Sequence, residues 1–319
     1  MMKVVVIGGS GHIGTYLIPK LVWAGFAVAN VSRGKSKPYT TDGAWSEVEN
    51  LVLDRGKEGP GIFEKKIADL DADIVVDLIN FTLEDTRHMV EALKNTNLSH
   101  YLFCSSIWAH GTAATLPAIE DLPRYPLCEY GKEKAACESY LHNLFRSEGF
   151  PGTSVLPGQI SGPGWNIINP TGNIDPMIFQ KIAQGKEIML PNLGMETLHH
   201  VHADDVAQVF MNCITHRNQA LGESFHAVSA DSITLLGYAQ AMYRWFGKEP
   251  KIAFLSWDAW CKHTGDDELC TSTYLHIARS GHYSIEKGKR LIEYYPRHTA
   301  LEAIKESVTS MVERKVISL

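Results

Sequence analysis

The sequence predicts an α/β protein built on a doubly wound parallel sheet, with a smaller C-terminal lobe. Three observations predict this class. Short runs rich in Val, Ile and Leu recur along the first half of the chain, helix-like patterns lie between several of them, and a glycine-rich turn follows the first run. Apolar runs that do not alternate strictly with polar residues suit strands buried on both faces of a parallel sheet. Their alternation with helices indicates right-handed crossovers.

The elements follow in chain order. Strands are predicted over residues 4–7, 27–31, 51–53, 74–79, 101–104 and 153–156, and helices over 12–24, 60–70, 82–94 and 130–148. From about residue 157 the chain becomes dense in Gly, Pro and Asn, and the C-terminal part is rich in aromatic residues. We therefore divide it into a sheet domain, 1–160, with a return segment near 195–230, and a lobe, 161–319.

Composition narrows the class of function. The chain has 319 residues, 45% of them hydrophobic and 21% charged, and a net charge of −6 without any acidic or basic block. This charge pattern disfavours a large nucleic-acid interface. Six cysteines without a CxxC pair favour free thiols in a reducing compartment. No run approaches the ~20 apolar residues of a membrane span, and only three residues precede Val4, so we expect a cytoplasmic protein without membrane association.

Three glycines, Gly8, Gly11 and Gly14, lie between the first predicted strand and the first predicted helix. In such a GxxGxxG turn the first glycine turns the chain and the second lets the backbone approach a pyrophosphate. The third glycine packs the helix on the sheet, and the helix N-terminus receives the phosphates. The position of the motif favours a Rossmann-type dinucleotide site, and a glycine turn without a ligand is the alternative.

The tip of the second predicted strand indicates which dinucleotide is bound. An Asp or Glu there holds a free ribose 2′-hydroxyl, whereas an Arg accommodates a 2′-phosphate. This chain has no acid at the tip, and its polar and basic side chains are Ser32, Arg33, Lys35 and Lys37. The pattern predicts NADP in preference to NAD, with a solvated basic loop as the alternative. Asp54 and Arg55 follow the third strand and are either contacts for the adenine end or a surface ion pair.

A serine, a tyrosine and a lysine suggest the chemistry. The fifth predicted strand delivers Ser105 and Ser106 to the carboxyl edge of the sheet. Tyr130 and Lys134 are four residues apart in a predicted helix and therefore share a face. A nearby ammonium lowers the pKa of a phenol, which then exchanges a proton with an alcohol or a ketone. A surface helix pair is the alternative for the Tyr-Lys motif alone.

In its motifs, the chain resembles the extended, epimerase/dehydratase-like short-chain dehydrogenase/reductase family. GGSGHIG, SSIWAHG, YGKEK, LPGQISGPG, HHVHADDVA and SIEKGKRLIEYYPR carry the resemblance. It looks most like the atypical branch that includes sugar-nucleotide epimerase-like proteins and chloroplast stem-loop RNA-binding proteins. The resemblance implies catalytic roles for Ser106, Tyr130 and Lys134. It implies cofactor contacts at Gly8, Ser10, Gly11, His12, Ile13, Gly14, Tyr130, Lys134, Pro157 and Gln159. It implies substrate contacts at Ser106, Trp108 and Arg279, although a surface arginine is the alternative for Arg279.

Several positions depart from the family pattern. His110 stands where the family commonly has Tyr, Leu156 where an Arg usually precedes the proline, and Ser161 where Tyr is common. All three border the substrate or the nicotinamide. The sugar-nucleotide dehydratases carry an Asp-Glu pair where this chain has Ile107 and Trp108, so dehydration is disfavoured.

A histidine-rich segment, residues 199–205, has the residue types of a metal site. A strand followed by a helix with Asp204 or Asp205 as its N-cap explains it equally well, and we expect no metal. Family members pair through the helices near 82–94 and 130–148, which implies a homodimer. The apolar residues at helical spacing there either support this dimer or face the sheet: Met89, Val90, Leu93, Leu141, Leu144 and Phe145.

These observations together predict an NADP-dependent oxidoreductase or epimerase acting on a secondary alcohol or ketone, with a sugar-nucleotide-like molecule as one candidate substrate. Its expected partner is a small molecule and not a nucleic acid. The alternative is a non-catalytic RNA- or ligand-binding protein on the same fold. The acidic balance argues against RNA, because RNA affinity depends largely on phosphate neutralisation.

Overall fold

A computed structural model describes residues 1–112 and 114–318 of the chain. Its strands are β1 (Lys3–Ile7), β2 (Ala27–Ser32), β3 (Glu49–Val52), β4 (Ile74–Asp77), β5 (His100–Cys104), β6 (Gly152–Pro157), β7 (Gln159–Ser161), β8 (Ile188–Pro191), β9 (Thr197–Leu198), β10 (His200–His202), β11 (Ser224–Ala227), β12 (Ile233–Thr234) and β13 (Ile252–Leu255). Its α-helices are α1 (His12–Trp23), α2 (Ile62–Ala68), α3 (Leu83–Leu93), α4 (Glu129–Glu148), α5 (Met177–Ala183), α6 (Ala203–Thr215), α7 (Arg217–Ala220), α8 (Leu235–Trp245), α9 (Trp257–Thr264), α10 (Asp267–Ile277), α11 (Glu286–Ile292) and α12 (Ala300–Glu313).

A seven-stranded sheet forms the centre, in the order β11-β6-β5-β4-β1-β2-β3. Every neighbouring pair in it is parallel, and Val5 of β1 is paired with Ala29 of β2 and Val75 of β4. The predicted doubly wound parallel sheet is therefore confirmed. Because the strands are parallel, the carboxyl ends of β1, β2, β4, β5 and β6 lie at one edge of the sheet, where ligands bind in such folds.

Alternate residues of β1 explain why both sheet faces are covered. Val4 and Val6 join a core with α1 and α6, whereas Val5 and Ile7 join a core with α2, α3 and α4. All four side chains are fully buried. Full burial of such a side chain stabilises a fold by about 1.5–3 kcal/mol, which explains why a run without alternation forms a central strand.

The C-terminal lobe has its own core. Side chains of α5, α8 and α12 pack there with the parallel pair β8–β13, and Tyr238 and Ile304 are among its fully buried residues. The chain also returns to the sheet domain, because β11 is an edge strand of the sheet and α6 packs on α1. No helix within the described ranges has both the length and the apolar composition needed to cross a bilayer.

The apolar stripes of α3 and α4 face inward. Met89, Val90, Leu93 and Leu141 are at most 3% exposed and pack in the core beneath the sheet, with Leu144 partly buried against it. Phe145 packs near Gly222. For Met89, Val90, Leu93 and Leu141 the structure therefore favours the second alternative, in which these residues face the sheet, and the homodimer itself stays a prediction.

Candidate active site

The glycine turn between β1 and α1 has the geometry that the sequence suggested. Gly8 has a φ of +83°, and a Cβ there would lie 2.6 Å from Ile79. A Cβ on Gly14 would lie 2.1 Å from the carbonyl oxygen of Gly9, so only glycine lets the helix pack this closely. Gly11 is the N-cap of α1 and offers no side-chain cap. The first backbone N–H groups of the helix are thus left for an anion.

A cleft of about 550 Å³ opens along this turn. Gly8, Ser10 and Gly11 line one part of it, and its walls continue to Ser32, Arg33, Lys35 and Ser36 at the tip of β2. Ile79 and Phe81, which the sequence analysis did not single out, also line it. A cradle without side chains beside a group of basic and hydroxyl side chains fits a dinucleotide that carries an additional phosphate.

Asp54 and Arg55, the next two predicted cofactor residues, have different surroundings. Both line the cleft, but Arg55 lies 2.7 Å from a carboxylate oxygen of Asp77 and 3.2 Å from one of Glu64. It also donates to the carbonyl of Ile79. Its guanidinium is therefore held within the protein. Among the contacts of the described chain, the carboxylate of Asp54 accepts only from the N–H of Gly56, through Oδ1, so its Oδ2 is the oxygen available to a ligand.

His12 and Ile13 contribute backbone rather than side chain. The His12 ring stacks on Trp165 with centroids 5.0 Å apart and planes 12° apart. Ile13 is buried in the core between α1 and the sheet. Since α1 begins at His12, the groups that these two residues offer a phosphate are their N–H groups.

The serine segment and α4 bring the predicted catalytic residues together. Ser106 caps a 3-10 turn, Ile107–Ala109, and its hydroxyl accepts from the N–H of Trp108 at 3.2 Å. Ser106, Trp108 and Tyr130 line a second pocket of about 290 Å³. The ring centroids of Tyr130 in this pocket and Phe81 in the cleft lie 6.4 Å apart, so the two linings are neighbours at these rings.

Lys134 lies beneath these residues, 1% exposed. Its Nζ donates to the carbonyl oxygen of Asn80 and, at 2.7 Å, to that of Cys104. The same nitrogen lies 4.9 Å from the ring centroid of Phe81 and 5.6 Å from that of Tyr130. Burial lowers the pKa of Lys134. The two carbonyls therefore hold the ammonium beside the rings of Phe81 and Tyr130.

The pKa of Tyr130 differs from expectation. Burial, followed by the proximity of Cys104, raises it to about 12, and hydrogen bonding with Ser106 lowers it only in part. The sequence analysis predicted a lowered value because of Lys134. That prediction was wrong for this structure: Tyr130 keeps 39% of its surface exposed, and the Lys134 ammonium is engaged by the carbonyls of Asn80 and Cys104 instead of by the phenol.

The other walls of the second pocket come from the segment after β6. Gln159 lines it, and its Oε1 accepts from the N–H of His199 at 2.9 Å. Pro157 is the buried last residue of β6. Trp165 and His276 were missed by sequence reasoning. Trp165 lies in the Gly-, Pro- and Asn-rich segment already identified as irregular, but no local pattern indicated which of its residues would face the pocket.

Arg279 is buried, not a surface arginine. It is 4% exposed, and its Cζ lies 3.8 Å from the ring centroid of Trp108. None of its guanidinium nitrogens has a hydrogen-bond partner in the part of the chain that the structure describes. Burial lowers its pKa to about 10, with Tyr283 and Cys128 acting in the opposite direction. A buried cation without a partner is costly, and an anionic ligand is the usual compensation.

The histidine-rich segment forms a helix start. The N-cap of α6 is His202, whose Nδ1 accepts from the N–H of Asp204 at 3.0 Å, so the prediction of an aspartate cap was wrong. His202, His298 and Glu306 bring one ligand atom each within 4.8 Å of one another. Because Nδ1 of His202 accepts, its Nε2 carries the proton and faces Glu306 as a donor. This tautomer disfavours metal ligation.

A family model for the NAD dependent epimerase/dehydratase family matches residues 4–227, which include the glycine turn, the serine segment and the Tyr-Lys pair. The chain belongs to this family. Among curated members and relatives, a chloroplast stem-loop binding protein of 41 kDa from Arabidopsis thaliana is 27% identical, with 96% of this chain and 78% of that protein aligned. A 2′-dehydrokanamycin reductase from Streptomyces kanamyceticus is 25% identical over 72% of this chain and 62% of its own length.

Solved structures agree on the fold of the family. A UDP-glucose 4-epimerase from Thermotoga maritima, solved with UDP-glucose, is 17% identical with a TM-score of 0.76 over 98% of this chain and all of that one. A dTDP-glucose 4,6-dehydratase from Bacillus anthracis, in complex with NAD, is 16% identical with a TM-score of 0.76 over 99% and 98% of the two chains. At these identities the agreement concerns architecture. The family membership makes the chain an NAD(P)-dependent enzyme of the extended short-chain dehydrogenase/reductase type.

Proposed function

We propose that this family member is an NADP-dependent oxidoreductase or epimerase that acts on a secondary alcohol or ketone of an anionic, sugar-nucleotide-like substrate. One observation carries the proposal. Ser106 and Tyr130 line a pocket whose Tyr130 ring neighbours the Phe81 ring of the cofactor cleft, and the Lys134 ammonium lies next to both rings. The Tyr130 hydroxyl, a proton donor, would therefore lie between a substrate bound in the pocket and a cofactor bound in the cleft.

The residues divide the chemistry among them. A bound nicotinamide supplies or accepts the hydride. Tyr130 gives a proton to the substrate oxygen, or takes one from it, as general acid or base. Ser106 holds the same oxygen by a hydrogen bond, and its own place is fixed by the N–H of Trp108. Lys134 has one N–H left beside those given to the carbonyls of Asn80 and Cys104, and this N–H would hold the ribose hydroxyls of the cofactor.

The preference for NADP is supported by the β2 tip. Arg33 and Lys35 are exposed basic side chains in the wall of the cleft, and Ser32 and Ser36 add hydroxyl groups. A 2′-phosphate placed there gains charge-assisted hydrogen bonds, whereas a free 2′-hydroxyl finds no acid in this loop.

The anionic substrate is supported by Arg279. Its unpartnered guanidinium lies behind the indole of Trp108, which itself lines the second pocket. A phosphate or carboxylate that displaces this indole gains a bidentate pair with a cation that is already desolvated. This recognises the charged part of the substrate while Ser106 and Tyr130 act on its alcohol or ketone carbon.

The test is an absorbance assay at 340 nm with NADPH or NADP⁺ and a panel of UDP-glucose, UDP-galactose, UDP-glucuronic acid and their 4-keto forms. Sugar products are separated by chromatography, so that epimerisation with retained cofactor is also detected. We expect turnover in the wild type and a loss in Ser106→Ala. Saturable NADPH binding without turnover of any anionic sugar would contradict the substrate class, and an absence of NADPH binding would contradict the proposal as a whole.

A second candidate function is RNA binding, favoured by the 27% identity to a chloroplast stem-loop binding protein. The net charge of −6 makes a large phosphate interface unfavourable. Two observations would favour this candidate. The ultraviolet absorbance of the purified protein would show co-purified nucleic acid, and the protein would retain a stem-loop RNA in a salt-sensitive manner. Arg33→Ala separates the two functions, because it should weaken NADP binding and leave RNA retention almost unchanged.

A further inference from the structure

The residues on either side of the turn that begins at Ser106 are tied to one ion pair. Ser105 donates its hydroxyl proton to a carboxylate oxygen of Glu138 on α4. His110, at the other end of the turn, lies 2.9 Å from the guanidinium of Arg124 through its Nδ1. Arg124 and Glu138 pair at 2.8 Å. We call Ser105, His110, Arg124 and Glu138 the serine clamp, since their contacts close a ring around the turn.

Hydrogen bonds determine the tautomers of two histidines: His110, which belongs to the serine clamp, and His226, which contacts it. His226 Nδ1 lies 2.9 Å from the carbonyl oxygen of Ser284, which only accepts, so Nδ1 carries the proton. Its Nε2 therefore accepts, and the Nε2 of His110, 2.7 Å away, donates. The Nη1 of Arg124 lies 2.9 Å from Nδ1 and 3.2 Å from Nε2 of His110, which places the guanidinium against the face of the imidazole ring.

Burial keeps both imidazoles neutral. It lowers the pKa of His110 to about 2, with His226 and Arg124 contributing, and that of His226 to about 4. His110, Ser105 and Glu138 are each at most 3% exposed. A buried group that loses its hydrogen-bond partner cannot form a replacement hydrogen bond with water. Removal of His110 therefore leaves groups on both sides of it unpaired.

The clamp also fixes the loop that returns to the site. The N–H of Tyr125 donates to the carbonyl of His110 at 2.9 Å, and Arg124 donates to the carbonyl of Leu122. His110 is thus held through its ring and its backbone by neighbouring residues of one segment. The imidazole of His110 donates from Nε2 to His226 in its own plane and offers its ring face to Arg124.

We propose that His110 is a positioning residue, which through Arg124 and Glu138 sets the place of Ser106 and Trp108 in the substrate pocket. The proposal rests on the proposed function, in which Ser106 orients the substrate oxygen. A displacement of about 1 Å at a reacting group costs on the order of 10²-fold in rate. His110 therefore affects turnover without touching substrate or cofactor.

Two variants separate hydrogen bonding from packing. His110→Gln keeps one acceptor and one donor about 2 Å apart, whereas His110→Phe keeps a planar ring and removes both polar atoms. With the substrate identified from the UDP-sugar panel, we expect kcat to fall about 10- to 100-fold in His110→Phe and to stay within about threefold of wild type in His110→Gln. The Kd for NADPH should be unchanged in both. Equal losses, or an active Phe variant with an inactive Gln variant, would show a packing role and overturn the proposal.

A second readout needs no turnover. Protein labelled with 5-fluorotryptophan gives a fluorine resonance for Trp108, assigned by its absence in Trp108→Phe. We expect that resonance to shift or broaden in His110→Phe and to keep its wild-type position in His110→Gln. An unmoved Trp108 resonance in a folded His110→Phe protein would overturn the positioning role, whether or not any sugar nucleotide is turned over. A moved resonance in a protein that turns over no panel substrate would count against the proposed function alone.

Discussion

The cofactor cleft draws most of its polar groups from two short segments, residues 8–14 and 32–36, whereas the substrate pocket combines residues as far apart as Ser106 and His276. In the cleft, backbone N–H groups and exposed basic side chains are available to bind a dinucleotide cofactor. Behind the pocket, the buried guanidinium of Arg279 stacks on the indole of Trp108 and has no hydrogen-bond partner within residues 1–112 and 114–318. A ligand that is recognised by backbone geometry can be encoded locally, but one recognised by side chains from many segments cannot.

Tyr130 stands between the two regions, so its substitution has the largest expected effect. Tyr130→Phe removes one hydroxyl, and turnover should fall by about 10²- to 10⁴-fold because a general acid or base is lost. The Kd for NADPH should stay within about twofold. The matched control is Tyr140→Phe, a partly exposed tyrosine on the same helix. Near-normal turnover in Tyr130→Phe would contradict the assignment of the proton donor.

Substitution of Arg279 tests the role of the pocket in substrate binding. Arg279→Met removes a buried charge without a partner, so the free energy of unfolding, measured by urea denaturation, should not decrease. The affinity for UDP-glucose, measured by calorimetry, should fall about 10- to 100-fold, as expected for a lost charged hydrogen bond. Arg244→Met, at an exposed arginine, is the control. A destabilised variant with unchanged affinity would assign Arg279 a structural role instead.

The pH profile tests the raised pKa of Tyr130. In the oxidative direction the phenolate is the required form, and its fraction grows about tenfold per pH unit at any pH below the pKa of about 12. With both reactants at low concentration, kcat/KM for alcohol oxidation should rise from pH 7 to pH 10 without a plateau. Ketone reduction uses the protonated phenol and should stay level over the same range. A plateau near pH 7 in the oxidative direction would mean that the free protein already has a lowered pKa.

Arg33 gives the smallest effect and tests the cofactor side. Arg33→Ala should weaken NADPH binding by about tenfold, the scale of one charge-assisted contact, and leave NADH binding unchanged. Lys37→Ala, at an exposed lysine further along the same loop, is the control. Fluorescence titration measures both cofactors. Equal or tighter binding of NADH by the wild-type protein would contradict the argument from this loop.

The same contrast explains what the sequence could predict. The apolar runs and glycine spacing predicted the sheet because strand burial and turn geometry depend on nearby residues. The α3 and α4 stripes left two interpretations open, a dimer surface or the monomer's core, because helical periodicity does not reveal which neighbour covers a face. The cap of α6 was misassigned because His202 caps through a ring nitrogen, which is less usual than an aspartate. Phe81, Trp165 and the serine clamp depend on contacts between distant segments, which no local pattern shows.

A crystal structure with NADP⁺ and UDP-glucose tests the central claim most directly. The account predicts the pyrophosphate at the N-terminus of α1 and the 2′-phosphate beside Arg33. It places the nicotinamide ring next to Tyr130, and the UDP phosphates on Arg279 with Trp108 displaced. The distance from the Tyr130 hydroxyl to the reacting sugar oxygen should be that of a hydrogen bond, about 2.6–3.2 Å. A nicotinamide bound far from Tyr130, or a sugar nucleotide bound with Arg279 still covered and unpartnered, would contradict it.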